Sequence, residues 1–208
     1  MVLPPSPTEQ PASKAELVVL AARRLFMENG YGATSMEAVA RAAGVSKATL
    51  YAHFAGKAEL FSAIIGTECR RIAHTGDASE LDHLPVGEAL FRIGRPLLEL
   101  VVSPQALAAY RVVVAEAARF PELGRAFYEA GPATTLRMLA GYLERATARG
   151  DLAVADPQTG AVLLASMIRS HFQLFLLLGV RDSVNECELD RHVRAVIELF
   201  LSGCAPRA

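Results

Sequence analysis

The chain has 208 residues, a formal net charge of −1, and balanced cations (Lys+Arg 21) and anions (Asp+Glu 22). That balance excludes a chain that binds nucleic acid through overall basicity, and the length suits a small domain joined to a larger one. A hydrophobic content of 52% with mean hydropathy of +0.27 implies extensive buried surface, an oligomer interface, an apolar cavity, or some of each.

The first residues, 1–12, are rich in proline and polar side chains and read as a flexible arm. They lack the cationic start and apolar core of a secretory signal. A first helix is expected from Ser13 to Asn29, with Ser13 and Glu16 as a capping box and Leu17, Leu20, Ala21, Leu25 and Phe26 as its apolar face. Gly30 ends it, and Tyr31-Gly32-Ala33 turns the chain.

Thr34 to Lys57 organises the rest. Thr34 reads as an N-cap with Glu37 completing a capping box, and Met36, Val39, Ala40 and Ala43 give one apolar face. Gly44 can take the left-handed conformation that closes a helix. Ser46 caps the next short helix, Lys47 to Phe54. A small residue at Ala40, a turn glycine at Gly44 and an apolar anchor at Leu50 are what a helix-turn-helix requires. Lys47, Ala48, Thr49, Tyr51, Ala52 and His53 are left on the outward face, which suits entry into a DNA major groove. The charge of this region is nearly balanced up to residue 60, but Lys47, His53 and Lys57 fall together at the proposed DNA face.

The run GVSKATLYAHFAGKAEL, with Leu25-Phe26, Gly30-Tyr31 and Thr34 upstream, resembles the DNA-binding domain of the tetracycline-repressor (TetR/AcrR) family over roughly Ala15 to Ile65. The stretch from Tyr110 to Tyr142 is similar to AefR-like C-terminal domains. The resemblance implies that Thr34 and Lys57 hold phosphates at helix N-termini, and that Tyr51 and His53 touch the backbone at the groove edge. Ser46 opens the recognition helix, and Lys47, Ala48 and Thr49 approach base edges. The chain departs from the family at Ala52, where a basic or polar residue is common.

A fourth helix, Lys57 to about His74, carries Leu60, Phe61, Ile64 and Ile65 inward and links the head to the remainder. Gly76 to Ser79 reads as a break. Punctuation then cuts helices at about 85–102 (with a kink at Pro96), 103–119, 121–130, 133–149, 157–178 and 186–201. No strand pattern occurs. The fold class is all-α, with about nine to ten helices: a helix-turn-helix head over 13–75 and a larger helical body over 80–204. The apolar helix from Pro157 is not read as a membrane span, because Arg169, His171 and Gln173 sit in its middle.

No phosphate loop, dinucleotide fingerprint, HExxH or GxSxG is present, and Cys69, Cys187 and Cys204 are widely spaced. No enzyme activity, cofactor or metal is expected. The resemblance implies a cytoplasmic homodimer that binds a double-stranded DNA operator and a small-molecule effector. Its dimer would use the last two long helices, with Leu189, Val193, Val196, Ile197 and Phe200 facing the partner. Phe91, Leu98, Tyr110, Phe127, Tyr128, Met138, Met167 and Phe172 would line an apolar cavity, with Arg95, Arg169 or His171 orienting an acidic or polar group. The alternative is a helical small-molecule carrier or scaffold whose head does not read DNA.

Overall fold

The computed structural model describes residues 13–73 and 78–204 and is helical, with no strand among the described residues. The N-terminal arm and the first half of the break expected from Gly76 to Ser79 lie outside them. The helices are α1 (Lys14–Asn29), α2 (Met36–Ala42), α3 (Lys47–His53), α4 (Lys57–Ala73), α5 (Ala78–Asp82), α6 (Val86–Val102), α7 (Pro104–Glu116), α8 (Pro121–Ala130), α9 (Pro132–Ala148), α10 (Pro157–Leu177) and α11 (Glu186–Gly203). One more is present than the punctuation suggests, because α5 begins inside the expected break.

Local chemistry sets most boundaries. Ser13 and Glu16 form the capping box on α1, and Asn185 and Glu188 form another on α11. Ser103 and Asp156 cap α7 and α10, each followed by proline at the first helical position. Gly44 closes α2 with φ 67°. α6 runs on through Pro96, which can donate no hydrogen bond to the preceding turn.

Two expectations shift by one residue. Ser35, not Thr34, caps α2, its hydroxyl accepting from the Ala38 N–H. On α1 the buried face is Val18, Ala21, Ala22 and Phe26, while Leu17 and Leu20 are 42% and 59% exposed. The unbroken apolar run from 17 to 22 leaves the phase open. Phe26 fixes it by placing Ala22 and Val18 beneath it, one and two turns back.

The head core joins Val18, Phe26, Tyr31, Val39, Leu50 and Phe61 to Val113 of α7 and Leu123 of α8. The rings of Phe26, Tyr31 and Phe61 meet at 5.4–6.1 Å. The head thus rests on the body through continuous apolar contact. The body core is built by α6, α9, α10 and α11 around Leu90, Leu98, Leu143, Leu164 and Ile168. Gly94 permits the closest crossing: a Cβ there would stand 2.9 Å from Ile168 Cδ1 and 3.2 Å from Val193 Cγ1. Leu189, Val193, Val196, Ile197 and Phe200 all belong to this core. The stripe expected to face a partner is therefore consumed within the protomer, against α6.

α10 bends by 50° between its Pro157–Arg169 and His171–Leu177 halves. His192 Nε2 lies 3.1 and 3.0 Å from the carbonyl oxygens of Met167 and Ile168. A nitrogen shared by two acceptors must carry the hydrogen, so His192 steadies the bend as a donor. Among the described residues, no single helix is long and apolar enough to cross a membrane.

Among the described residues, polar ties join head to body at Ser62, whose hydroxyl donates to the Ala126 carbonyl (3.4 Å), and at Glu116. Glu116, at the end of α7, accepts from the N–H groups of Tyr31 (2.6 Å) and Gly32 (2.7 Å). Glu116→Ala strands both donors and should lower stability in urea unfolding by about 2–3 kcal/mol, with Glu116→Gln losing less.

Candidate nucleic-acid interface and cavity

The two short helices of the turn motif expose one narrow face. Ser46 caps α3, accepting from the Thr49 N–H at 3.0 Å and sharing a hydrogen with the Thr49 hydroxyl at 2.8 Å. Leu50 points inward and is fully buried. Lys47, Ala48, Tyr51, Ala52 and His53 are exposed, Tyr51 by 43%, and Thr49 is half-buried beside them. Lys47 Nζ pairs with Glu37 Oε1 at 2.5 Å across the two helices. The pair holds the Glu37 carboxyl below its ordinary range, chiefly through that hydrogen bond. Both partners are exposed, and such pairs contribute little to stability, so Lys47 can exchange its carboxylate for another anion at small cost.

Thr34 and Lys57 do different work from that expected. Thr34 is buried, at 3% exposure, and its hydroxyl donates to the carbonyls of Gly30 (2.9 Å) and Leu25 (3.1 Å). It ties the end of α1 to the start of α2 and turns its side chain away from solvent. Lys57 Nζ donates to the Tyr31 carbonyl at 2.7 Å and lies 4.5 Å from the centre of the Tyr31 ring. Burial pushes the Lys57 ammonium pKa down, against the raising influence of Glu116 and Glu122. Burial, followed by Glu122 and Glu116, pushes the Tyr31 phenol up to about 12. Lys57 braces the Tyr31 loop, and Thr34, buried and bonded inward, does not face a phosphate.

The second feature is a cavity of about 350 Å³ where α1, α4, α6, α7, α8, α9 and α10 converge. That is near the small end of the ~300–1,000 Å³ typical of ligand sites. Ile64 and Ile65 of α4, Leu97 of α6, Tyr110 of α7, Phe127 and Tyr128 of α8 and Leu136 of α9 supply an apolar wall. Gly131 lets the α8–α9 turn come close: a Cβ there would be 3.1 Å from Ile65 Cγ2. Ser166, Arg169 and Gln173 of α10 and Gln105 of α7 bring polar groups.

Tyr110, Phe127, Tyr128 and Arg169 line the cavity as the sequence suggests. Phe91, Arg95, Leu98, Met138, Met167, His171 and Phe172 do not. Arg95 is held by Glu99, Glu186 and Asp190. Phe91 lies under the Arg194 guanidinium at 4.1 Å, and Leu98 and Phe172 are core. Met138 and Met167 pack against that core, and His171 stacks on Phe172 at 4.5 Å. Sequence reasoning missed the contribution of the head: Arg23 and Met27 of α1 and Cys69 of α4 also line the cavity. The signal lay in α1 and α4 flanking the same loop, but periodicity alone does not say which buried residue borders a void.

A helix-turn-helix head with an exposed second helix, seated on a helical body that encloses a cavity against the head, is the architecture of a transcriptional regulator. Residues 13–64 match the family model for bacterial regulatory proteins of the tetR family, and residues 88–203 match that for the AefR-like transcriptional repressor C-terminal domain. The chain belongs to the tetR family of transcriptional regulators.

Among solved structures it is similar to the flavonoid-responsive regulator FrrA, at 39% identity over 94% of this chain and 98% of that one, with a TM-score of 0.77. A putative TetR-family regulator from Mesorhizobium loti MAFF303099 is 29% identical over 92% of this chain and 96% of that one, with a TM-score of 0.78. The uncharacterized HTH-type regulator YhgD of Bacillus subtilis (strain 168) is 35% identical over 86 residues, 41% of this chain and 45% of its own length. The matches to curated relatives thus span less than half of those proteins.

Thr34→Val removes two buried hydrogen bonds while keeping the shape. It should cost about 1–3 kcal/mol in chemical unfolding and leave the salt dependence of DNA affinity unchanged.

Proposed function

We propose that the protein is a homodimeric repressor that binds a near-palindromic operator through α3 and is released by a small, largely apolar effector in the cavity. Residues 13–75 form the DNA-reading unit and residues 80–204 the effector and dimer unit. Lys47, Ala48 and Thr49 approach base edges. Ser46, Tyr51 and His53 meet the sugar-phosphate backbone at the groove edge. The observation that carries this reading is the cavity wall itself. It is shared by the head, through Arg23 and Met27, and the body, so an occupant touches both.

Two routes lead from that wall to the reading helix. α4 starts beside α3 and borders the cavity at Ile64 and Ile65. α7 borders it from Gln105 to Tyr110 and ends at Glu116, which grips the Tyr31 loop. An effector that binds better with these helices displaced lowers operator affinity by that difference in affinity and no more. FrrA, named as flavonoid-responsive, is similar over nearly the whole chain. A planar aromatic effector is therefore the first class to try.

The dimer uses the outward faces of α10 and α11. Leu163, Leu174, Leu178 and Leu199 are 53–68% exposed, which is costly for so many leucines unless a second copy covers them. Changing Leu163 and Leu174 together to Arg should give a monomer in light scattering at micromolar concentration. The main test is fluorescence anisotropy with DNA flanking the gene, at two salt concentrations and with unrelated competitor. Tight, competitor-resistant binding is expected, and Lys47→Ala should reduce the salt slope by about one. Weak binding to every fragment, erased by salt, would favour a ligand carrier whose head does not read DNA.

A further inference from the structure

Apart from Arg23 of α1, Thr135 of α9 and the hydroxyls of Tyr110 and Tyr128, the polar lining of the cavity comes from α10 and the start of α7. Ser166, Arg169 and Gln173 follow one another on α10 at spacings of three and four residues, so they share a strip of that helix, and Gln105 comes from the first turn of α7. None of these four side chains makes a hydrogen bond or ion pair to a described residue. Four other arginines of the body, Arg95, Arg145, Arg149 and Arg181, each hold a carboxylate. Arg169 is also exposed, so its guanidinium stands where the cavity meets solvent.

The rest of the wall decides which charge can enter. No carboxylate lines the cavity among the described residues, and most of its lining side chains are apolar. A lipophilic cation would give up hydration there with no counter-charge and with Arg23 and Arg169 opposing it. An anion would gain a planar fork of donors suited to two oxygens, and would keep part of its hydration at the mouth. A neutral ring system would still gain from burial against Ile64, Ile65 and Phe127.

We propose that the effector is an aromatic acid, with its flat apolar ring system inserted between α4, α7 and α8. Its anionic oxygen, a carboxylate or phenolate, is held by Arg169 with hydrogen bonds from Gln105, Ser166 or Gln173. This rests on the reading of the cavity as an effector site, and it makes Arg169 the residue that selects by charge.

The test uses the full chain without DNA, so it is independent of operator binding. Calorimetric titrations compare 2-naphthoate, its neutral amide and the cationic 2-naphthylmethylammonium, which present the same rings. The acid should bind roughly tenfold or more tightly than the amide, as charge-assisted bonds to one guanidinium imply, and the cation should bind most weakly. Arg169→Gln should bring the acid down to the level of the amide and leave the amide unchanged, whereas Arg169→Lys should recover part of the preference. Arg194→Gln, on the far side of the body, should alter none of the three. Equal binding of acid and amide, a preference for the cation, or an acid preference that persists in Arg169→Gln would each overturn the proposal while leaving the cavity a ligand site. Failure of all three compounds to bind would remove the aromatic-effector reading together with it.

Discussion

A single carboxylate holds the loop on which the head is built. Glu116 receives two successive backbone N–H groups, from Tyr31 and Gly32. The fit demands glycine on both sides of Tyr31, because a Cβ at Gly30 or Gly32 would stand 2.7 or 2.8 Å from a Glu116 oxygen. Gly30 also needs φ of 84°, a conformation most residues avoid. With the loop fixed, the Tyr31 ring can fill the space between Phe26, Phe61 and Phe120. Lys57 then closes the arrangement from the other side by binding the Tyr31 carbonyl. The contact thus adds a polar anchor to the apolar seat of the head on α7 and α8.

Much of the fold was legible because helix ends are written in local chemistry. Ser13, Ser46, Ser103 and Asp156 each satisfy backbone donors within three residues, and a sequence reader needs no distant information to find them; at α11 the sequence left Ser183 and Asn185 open, and Asn185 is the cap. Thr34 misled because its neighbour Ser35 has the same capping chemistry. What separates the two is the pair of carbonyls from α1 that occupies the Thr34 hydroxyl. The α11 stripe misled for another reason. An amphipathic pattern identifies a face to be buried but not the surface that buries it, and α6 is that surface here.

The site was legible unevenly. The exposed residues of α3 follow from helical spacing once Leu50 is placed inward. Lys57 could not be assigned that way, since an ammonium on an aromatic ring and one on a phosphate have the same sequence signature. The cavity was the least legible part. Its wall comes from seven helices, and only Tyr110, Phe127, Tyr128 and Arg169 could be picked out by residue type. Arg95 has the same chemistry as Arg169, yet it is neutralised by acids of α11 that lie some ninety positions away in the chain.

The presence of Arg23 and Met27 in the cavity wall has a consequence for modularity. Heads and bodies of such regulators look separable, since one carries the turn motif and the other most of the void. Here the first helix of the head is also part of the container. If the cavity takes an effector as proposed, grafting another head onto this body would exchange a piece of the effector site along with the reader of DNA. Mutations that retune what the cavity accepts can equally arise in a helix whose other duty is to support the recognition helix. On that reading, the two specificities are inherited together.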